Sequence, residues 1–202
     1  YPDGGTVDDL LVYKMGDERF FLVVNASNIA KDYQWIVEHS AGYNLNIENL
    51  SDYYGEVAVQ GPKAEACIEE LLHLEVKDLQ FYTCKEIECD GETIIVSRTG
   101  YTGEDGFEIY GSHAFINKVW DVLVGSKQVL PCGLGCRDTL RFEDGGDADI
   151  HALKILERNG IFLWISLLFG FGVGIGRFGL AQLAELGFDG LVFDLLEQQF
   201  RL

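Results

Sequence analysis

The sequence predicts an α+β fold with mixed or antiparallel sheets and flanking helices. Three observations lead there. Short apolar segments with two-residue alternation are joined by tight-turn signals, Gly16-Asp17-Glu18 and Asp90-Gly91, as in hairpins. Apolar stripes at helical spacing interrupt those segments at residues 29–37, 64–72 and 115–123. No regular strand–helix–strand repetition signals a parallel sheet. With 202 residues, 48% of them hydrophobic, the chain has enough apolar material for a core.

Residues 6–15 and 19–25 read as two strands of a hairpin. Strand alternation puts Asp8, Leu10 and Val12 on one face and Asp9, Leu11 and Tyr13 on the other. The two acids then point opposite ways, so at most one serves a given site; their alternative use is to discourage pairing at a sheet edge. Residues 27–40 predict a helix with Ile29, Tyr33, Ile36 and Val37 on its apolar side and Trp35 nearby, capped by Asn25 or Ser27 and ended by Gly42. Residues 45–49 and 56–59 read as short strands. Gly61-Pro62 opens a helix in which Ala64, Cys67, Ile68, Leu71 and Leu72 repeat at helical spacing, with His73 at the surface. Residues 79–84 and 85–89 read as extended chain, and Asp90-Gly91 turns into a strand at 92–98.

Residues 96–110, VSRTGYTGEDGFEIY, organise the chain. Three Gly and two acids in the eight residues 99–106 make a tight loop, because Gly tolerates positive φ. Phe107 and Ile109 then alternate with Glu108 and Tyr110. Glu108 is either a ligand-reading carboxylate or a solvated acid beside a turn. Ser112 caps a helix whose apolar face is Phe115, Ile116, Val119, Trp120 and Leu123, and Gly125 ends it. Residues 132–137 open a further helix. Arg137 near its start gains nothing from the helix dipole; it serves a carboxylate elsewhere or pairs with Asp138 or Asp144.

The formal net charge of −18 argues against nucleic acid or an anionic membrane as partner. The five cysteines, Cys67, Cys84, Cys89, Cys132 and Cys136, include no CxxC, and reduced thiols are expected. The His at 39, 73, 113 and 151 lack metal-ligand spacing, so no metal is expected.

Five segments carry a family resemblance: GGTVDDLLVYK (4–14), VVNASNIAKD (23–32), VAVQGPKA (57–64), SRTGYTGEDGFE (97–108) and PCGLGCRDTLRFE (131–143). Together they resemble aminomethyltransferase, the T-protein of the glycine cleavage system, across about residues 3–143. In that family a substantial segment precedes GGxxDD. Tyr1-Pro2-Asp3-Gly4-Gly5 reads as a turn and not a natural start. The chain is therefore expected to be a fragment of the multi-domain T-protein fold. Residues 1–57 would be part of one folate-binding α+β domain, 58–150 a second folate-binding part and 151–202 a divergent tail.

The resemblance implies a transferase of glycine catabolism, with tetrahydrofolate as cofactor and the lipoylated H-protein as partner. Folate captures the methylene carbon of an aminomethyl group carried on the lipoyl arm, giving 5,10-methylenetetrahydrofolate and ammonia. By the same resemblance Asp9 is the catalytic carboxylate, Glu108 pairs with the donor edge of the pterin and Arg137 takes the folate's glutamate tail. Tyr13, Asn25 and Tyr82 line or bond the pocket. A bacterial cytoplasm is expected in preference to a mitochondrial matrix. The alternative is a folate-binding module without transfer activity.

The tail leaves three readings open. Residues 160–176 form a 17-residue uncharged run with five Gly, short of the ~20 residues of a membrane span. Gly174-Ile175-Gly176-Arg177-Phe178-Gly179 matches GxGxxG, with Asp194 twenty residues beyond Gly174, as in a dinucleotide-binding βαβ unit. Residues 175–177 and 180–196 also faintly resemble the T-protein's own continuation.

Overall fold

The computed structural model describes residues 1–144 and 162–166, with side chains through Leu140. Among these residues the fold is α+β, built on two antiparallel-dominated sheets. Strands β1 (Leu11–Lys14) and β2 (Phe20–Val23) form the hairpin expected around Gly16, closed by Met15 and Gly16 amides on the Arg19 carbonyl. A single turn of 3-10 helix (Ala26–Asn28) leads into α1 (Ile29–His39). Then follow β3 (Tyr54–Gln60), α2 (Ala64–Leu72), β4 (Cys84–Cys89), β5 (Glu92–Ser97), β6 (Gly106–Ser112), α3 (His113–Gly125), β7 (Leu130–Pro131), α4 (Leu134–Asp144) and β8 (Phe162–Ser166). The larger sheet has strand order β4-β5-β6-β3-β8-β7, antiparallel except for the β7–β8 pair.

That sheet has two different faces because its strands alternate. Val57, Val59, Ile94, Val96, Phe107 and Ile109 point to one side, where Cys67 and Ile68 of α2 and Phe115, Ile116, Val119 and Leu123 of α3 complete the core. Truncating any of these large side chains to Ala costs ~2–5 kcal/mol. The other side is polar yet buried: Glu56, Gln60, Ser97, Glu108 and Tyr110. The β1–β2 hairpin lies over it through Phe21, whose ring meets Tyr54 and Tyr110 edge-on at centroid distances of 5.5 and 5.4 Å. A buried polar face is costly unless its groups are mutually bonded, and this face carries the candidate site.

Several elements agree with the sequence pattern. Asp90 and Gly91 both take positive φ, 52° and 83°, the tight hairpin geometry their types favour. Ser112 Oγ accepts the Phe115 amide at 3.2 Å and caps α3. Other expectations are corrected. The first strand begins at Leu11 and not at residue 6, because Asp8 and Asp9 are drawn into bonds with Asn25 and Asn28. No strand forms at 45–49; Asn46 and Asn49 bond locally to Glu48 and Ser51, and Leu45 is exposed. Within the stretch expected to be extended at 79–84, residues 81–82 form a turn, held by Thr83 Oγ1 on Gln80. Neither Asn25 nor Ser27 caps α1, which starts beyond them with no side-chain cap. Its buried residue is Asp32, while Tyr33 and Val37 of the expected stripe are exposed.

The boundary expected at 57/58 falls inside β3. Within the uncharged run, residues 162–166 form β8, antiparallel to β3. Residues 167–202, including the GxGxxG match, lie outside the described residues. Among the described residues no helix is long and apolar enough to cross a membrane.

Candidate functional site

The site begins with an interlock between two sequence motifs. Gln60, from VAVQGPKA, is the register partner of Gly106, from SRTGYTGEDGFE. Its buried amide folds back over the loop, donating from Nε2 to Thr99 O at 3.0 Å and to Phe107 O at 3.3 Å, while Thr102 Oγ1 donates to its Oε1 at 3.3 Å. A Cβ on Gly100 would stand 1.8 Å from Gln60 Oε1, and one on Gly106 2.0 Å. These two glycines are required by close approach, whereas within residues 99–106 only Gly103 has positive φ (69°). Arg98 clamps the loop from outside, donating to both Asp105 oxygens at 2.8 and 2.6 Å and to Leu79 O at 3.0 Å. It also pairs with Glu65 at 2.9 Å and lies over the Phe107 ring.

The loop so fixed delivers Thr99 to Glu108. Thr99 Oγ1 donates to Glu108 Oε2 at 2.6 Å, and Tyr110 Oη donates to the same oxygen at 2.8 Å. Ser97 Oγ and Tyr13 Oη lie 2.7 and 3.0 Å from Thr99 Oγ1. Glu108 is 4% exposed, and among the described residues its Oε1 receives no hydrogen bond. Burial pushes the Tyr13 phenol up to about 12 and the Tyr110 phenol well above its ordinary range, with Glu56 and Glu108 adding to the latter. Both phenols therefore stay protonated donors. Glu56 shares this face, buried, with its carboxyl pushed well up first by burial and then by Glu108, against an opposing pull from Arg137.

Asp9 sits at the exposed edge of the hairpin. Asn25 Nδ2 reaches its Oδ1 at 3.1 Å and its carbonyl at 3.0 Å, and also Asp8 Oδ1 at 2.8 Å. One amide touching both carboxylates corrects the expectation that strand geometry sends them to opposite faces, since both precede β1. Asp8 further accepts from Asn28 at 3.0 Å and from the Asp9 amide at 2.9 Å. Its carboxyl is held well below the usual range, first by a hydrogen bond with Asp32. Asp32 is shifted up, first by burial and then by that bond to Asp8. Lys31 Nζ pairs with Asp32 Oδ1 at 3.3 Å and also donates to the Val7 carbonyl, but among the described residues neither Asp32 oxygen receives a well-aligned hydrogen bond. A proton held on Asp32 and given to Asp8 meets both observations.

Tyr101, at the exposed tip of the Gly-rich loop, is the point on which the remaining groups bear. Its phenol is shifted up by burial first, then by Asp9 and Glu108; Arg137 opposes, and Tyr82 adds the smallest share. The Arg137 guanidinium lies 5.2 Å from the Tyr101 ring centroid, within cation–π range, and also pairs with Asp138 at 3.1 Å. Tyr82 is 60% exposed with φ of 61°, and its ring meets Phe81 edge-on at a centroid distance of 4.4 Å. The charges of Asp9, Glu108 and Arg137 and the Tyr82 phenol thus all act on Tyr101, and of these Arg137 lies against its ring. Asn25 lies behind Asp9, and Tyr13 behind Thr99. Sequence reasoning missed Tyr101, Thr99, Tyr110 and Glu56. Only Tyr110 carried a signal, its alternation with Glu108; the others become visible once the loop and the hairpin meet.

Chemically, the arrangement offers a carboxylate fixed through one oxygen whose other oxygen receives no hydrogen bond among the described residues, a half-exposed phenol with a guanidinium against its ring, and a second, exposed carboxylate. Carboxylates accept N–H donors, and a guanidinium attracts anions.

Comparison with known proteins finds relatives over the same residues. The family model described as GCVT N-terminal domain matches residues 1–148. An aminomethyltransferase of Lysinibacillus sphaericus (strain C3-41) is 48% identical over 149 residues, covering 72% of this chain and 41% of the relative. One from Bacillus cereus is 50% identical over 147 residues, covering 71% and 40%. The crystal structure of glycine cleavage system aminomethyltransferase T from Bartonella henselae matches with a TM-score of 0.62 at 32% identity, covering 71% of this chain and 38% of that one. The chain spans about two fifths of the length of the curated relatives it matches. A family match over residues 1–148 of 202, lying on the segment that builds the site, means that this chain belongs to the GCVT N-terminal domain family.

Proposed function

We propose that this chain supplies the folate-binding part of a tetrahydrofolate-dependent aminomethyltransferase. The reaction transfers the methylene carbon of an aminomethyl group from the lipoylated H-protein of the glycine cleavage system, giving 5,10-methylenetetrahydrofolate and ammonia. The observation that carries the reading is the state of Glu108. Two hydroxyls fix its Oε2, among the described residues its Oε1 receives no hydrogen bond, and its charge acts on the Tyr101 phenol. The relatives named aminomethyltransferase, and the Bartonella structure named for the glycine cleavage system, support it.

Tetrahydrofolate, when bound, supplies the two nitrogens that take up the carbon. Glu108 Oε1 accepts from the pterin's donor edge, which fixes the heterocycle's orientation. Tyr101 offers its ring face, and Tyr82 narrows the rim. Arg137 attracts the carboxylates of the glutamate tail. Asp9, held by Asn25, takes up or gives a proton at its Oδ atoms and balances cationic charge as ammonia departs. We place the protein in a bacterial cytoplasm, in keeping with its bacterial relatives.

A second reading is a folate-binding module without transfer, favoured by the exposure of Asp9. Incubation with aminomethylated H-protein and tetrahydrofolate separates the two. Ammonia release together with methylenetetrahydrofolate supports the transferase; folate binding with no release supports the module; absence of folate binding defeats both.

A further inference from the structure

We propose that Thr99 is the positioning residue of this site: its one hydroxyl sets the Glu108 carboxylate and, through Tyr13, ties the hairpin that follows Asp9 to the sheet that carries Glu108. The inference rests on the reading of Glu108 as the folate-binding carboxylate and goes beyond it by assigning what aims that carboxylate.

Proton counting gives the direction of each bond. A hydroxyl has one proton and two acceptor positions. Thr99 Oγ1 spends its proton on Glu108 Oε2 at 2.6 Å. It must therefore accept from Ser97 Oγ at 2.7 Å and from Tyr13 Oη at 3.0 Å. The result is a directed chain, Tyr13 to Thr99 to Glu108, with Ser97 feeding the same oxygen and Tyr110 closing on Oε2 from the other side. All three bonding positions of Thr99 Oγ1 are used, and the residue is 2% exposed. Its backbone is pinned too, because Gln60 Nε2 donates to the Thr99 carbonyl at 3.0 Å. A β-branched side chain on a pinned backbone has few χ1 choices, so the hydroxyl is aimed before any ligand arrives. The Tyr13–Thr99 bond spans 86 positions of sequence and links β1, which follows directly on Asp9, to the Glu108 sheet.

The test is a double-mutant cycle read as the Kd for tetrahydrofolate under anaerobic conditions, with thermal melts of each variant. Glu108→Gln weakens binding in the unaltered background. Thr99→Val, which keeps shape and removes the hydroxyl, weakens it by about 10-fold, while Thr99→Ser restores it to within about 3-fold. In the Glu108→Gln background Thr99→Val changes Kd by less than about 2-fold, because there is no carboxylate left to aim. Equal effects of Thr99→Val in both backgrounds would make its role merely structural and overturn the proposal while leaving the folate reading intact. Tetrahydrofolate binding that is unchanged by Glu108→Gln, or no binding at all, would overturn the folate reading and the proposal with it. Should Thr99→Val fail to fold, Tyr13→Phe enters the same cycle, removing one donor into Oγ1 while keeping the ring. Its expected loss is about 2–3-fold in the unaltered background and none beside Glu108→Gln, and equal losses in both overturn the proposal.

Discussion

Gly106→Ala tests how the two motifs hold each other. The new Cβ would stand 2.0 Å from Gln60 Oε1 and 2.3 Å from its Cδ. Gln60 has nowhere to go, since its side chain is 1% exposed and its Nε2 serves Thr99 O and Phe107 O. Overpacking of this kind costs ~1–3 kcal/mol. Displacing the amide also strips buried carbonyls of a donor, at ~1–3 kcal/mol. A total of about 2–6 kcal/mol is expected, a large part of the ~5–15 kcal/mol of a typical domain. Urea melts followed by circular dichroism supply the number by linear extrapolation. Gln60→Ala removes the obstacle, so the double variant should be more stable than the sum of the single losses by about 1–3 kcal/mol. Simple additivity, or a Gly106→Ala cost below about 0.5 kcal/mol, would refute the interlock.

Three further outcomes are expected. In a full-length relative carrying the same residues, Asp9→Asn should lower turnover ~10²–10⁴-fold with little change in Tm. Asp8→Asn should instead cost ~1–3 kcal/mol of stability by weakening the acceptor of Asn25 and Asn28; turnover and melting of both variants check this. Asp32→Asn should reverse one arm of the pH profile of stability. The Asp32 carboxyl is shifted up from 3.8, so its contribution is complete below that value and is lost as pH rises through the raised pKa. The Asp8 carboxyl is shifted down, so its contribution is present above 3.8 and is lost as pH falls through the lowered pKa. Removing Asp32's titration should therefore make the variant gain on the unaltered chain as pH rises from about 4 to 7 in melts across that range. Arg98→Lys should speed amide exchange at residues 100–104, since an ammonium cannot make the bidentate contact with Asp105.

The parts of the fold legible in the sequence are those fixed by local chemistry. Asp90-Gly91 names its own turn, Ser112 its own cap, and the stripes of α2 and α3 their core faces. The strand alternation at 107–110 correctly separates Phe107 and Ile109 from Glu108 and Tyr110. The stripe of α1 misleads because the helix buries Asp32 against Asp8, a tertiary pairing that hydropathy ranks as surface. At the site, the placement of Asp9 came from resemblance and not from strand geometry, which gave the wrong relation between Asp8 and Asp9. Thr99 and Tyr101 were invisible for a different reason. They look like ordinary loop residues, and what distinguishes them is contact with partners on other elements, as in the 86-residue separation of Tyr13 and Thr99. The glycines show a similar gap: the loop predicts positive φ, but Gly100 and Gly106 are there for Gln60.

The central claim is a folate site with Glu108 at the heterocycle and Arg137 at the tail. Paired Kd measurements test it most directly, using tetrahydrofolate and the tailless probe 6-methyltetrahydropterin on the unaltered chain, Glu108→Gln and Arg137→Ala. Glu108→Gln should weaken both ligands by about 10–100-fold, because the pterin edge loses its carboxylate acceptor. Arg137→Ala should weaken tetrahydrofolate alone, since only that ligand carries the glutamate carboxylates. Unchanged binding in Glu108→Gln, or an equal loss of both ligands in Arg137→Ala, would contradict the account.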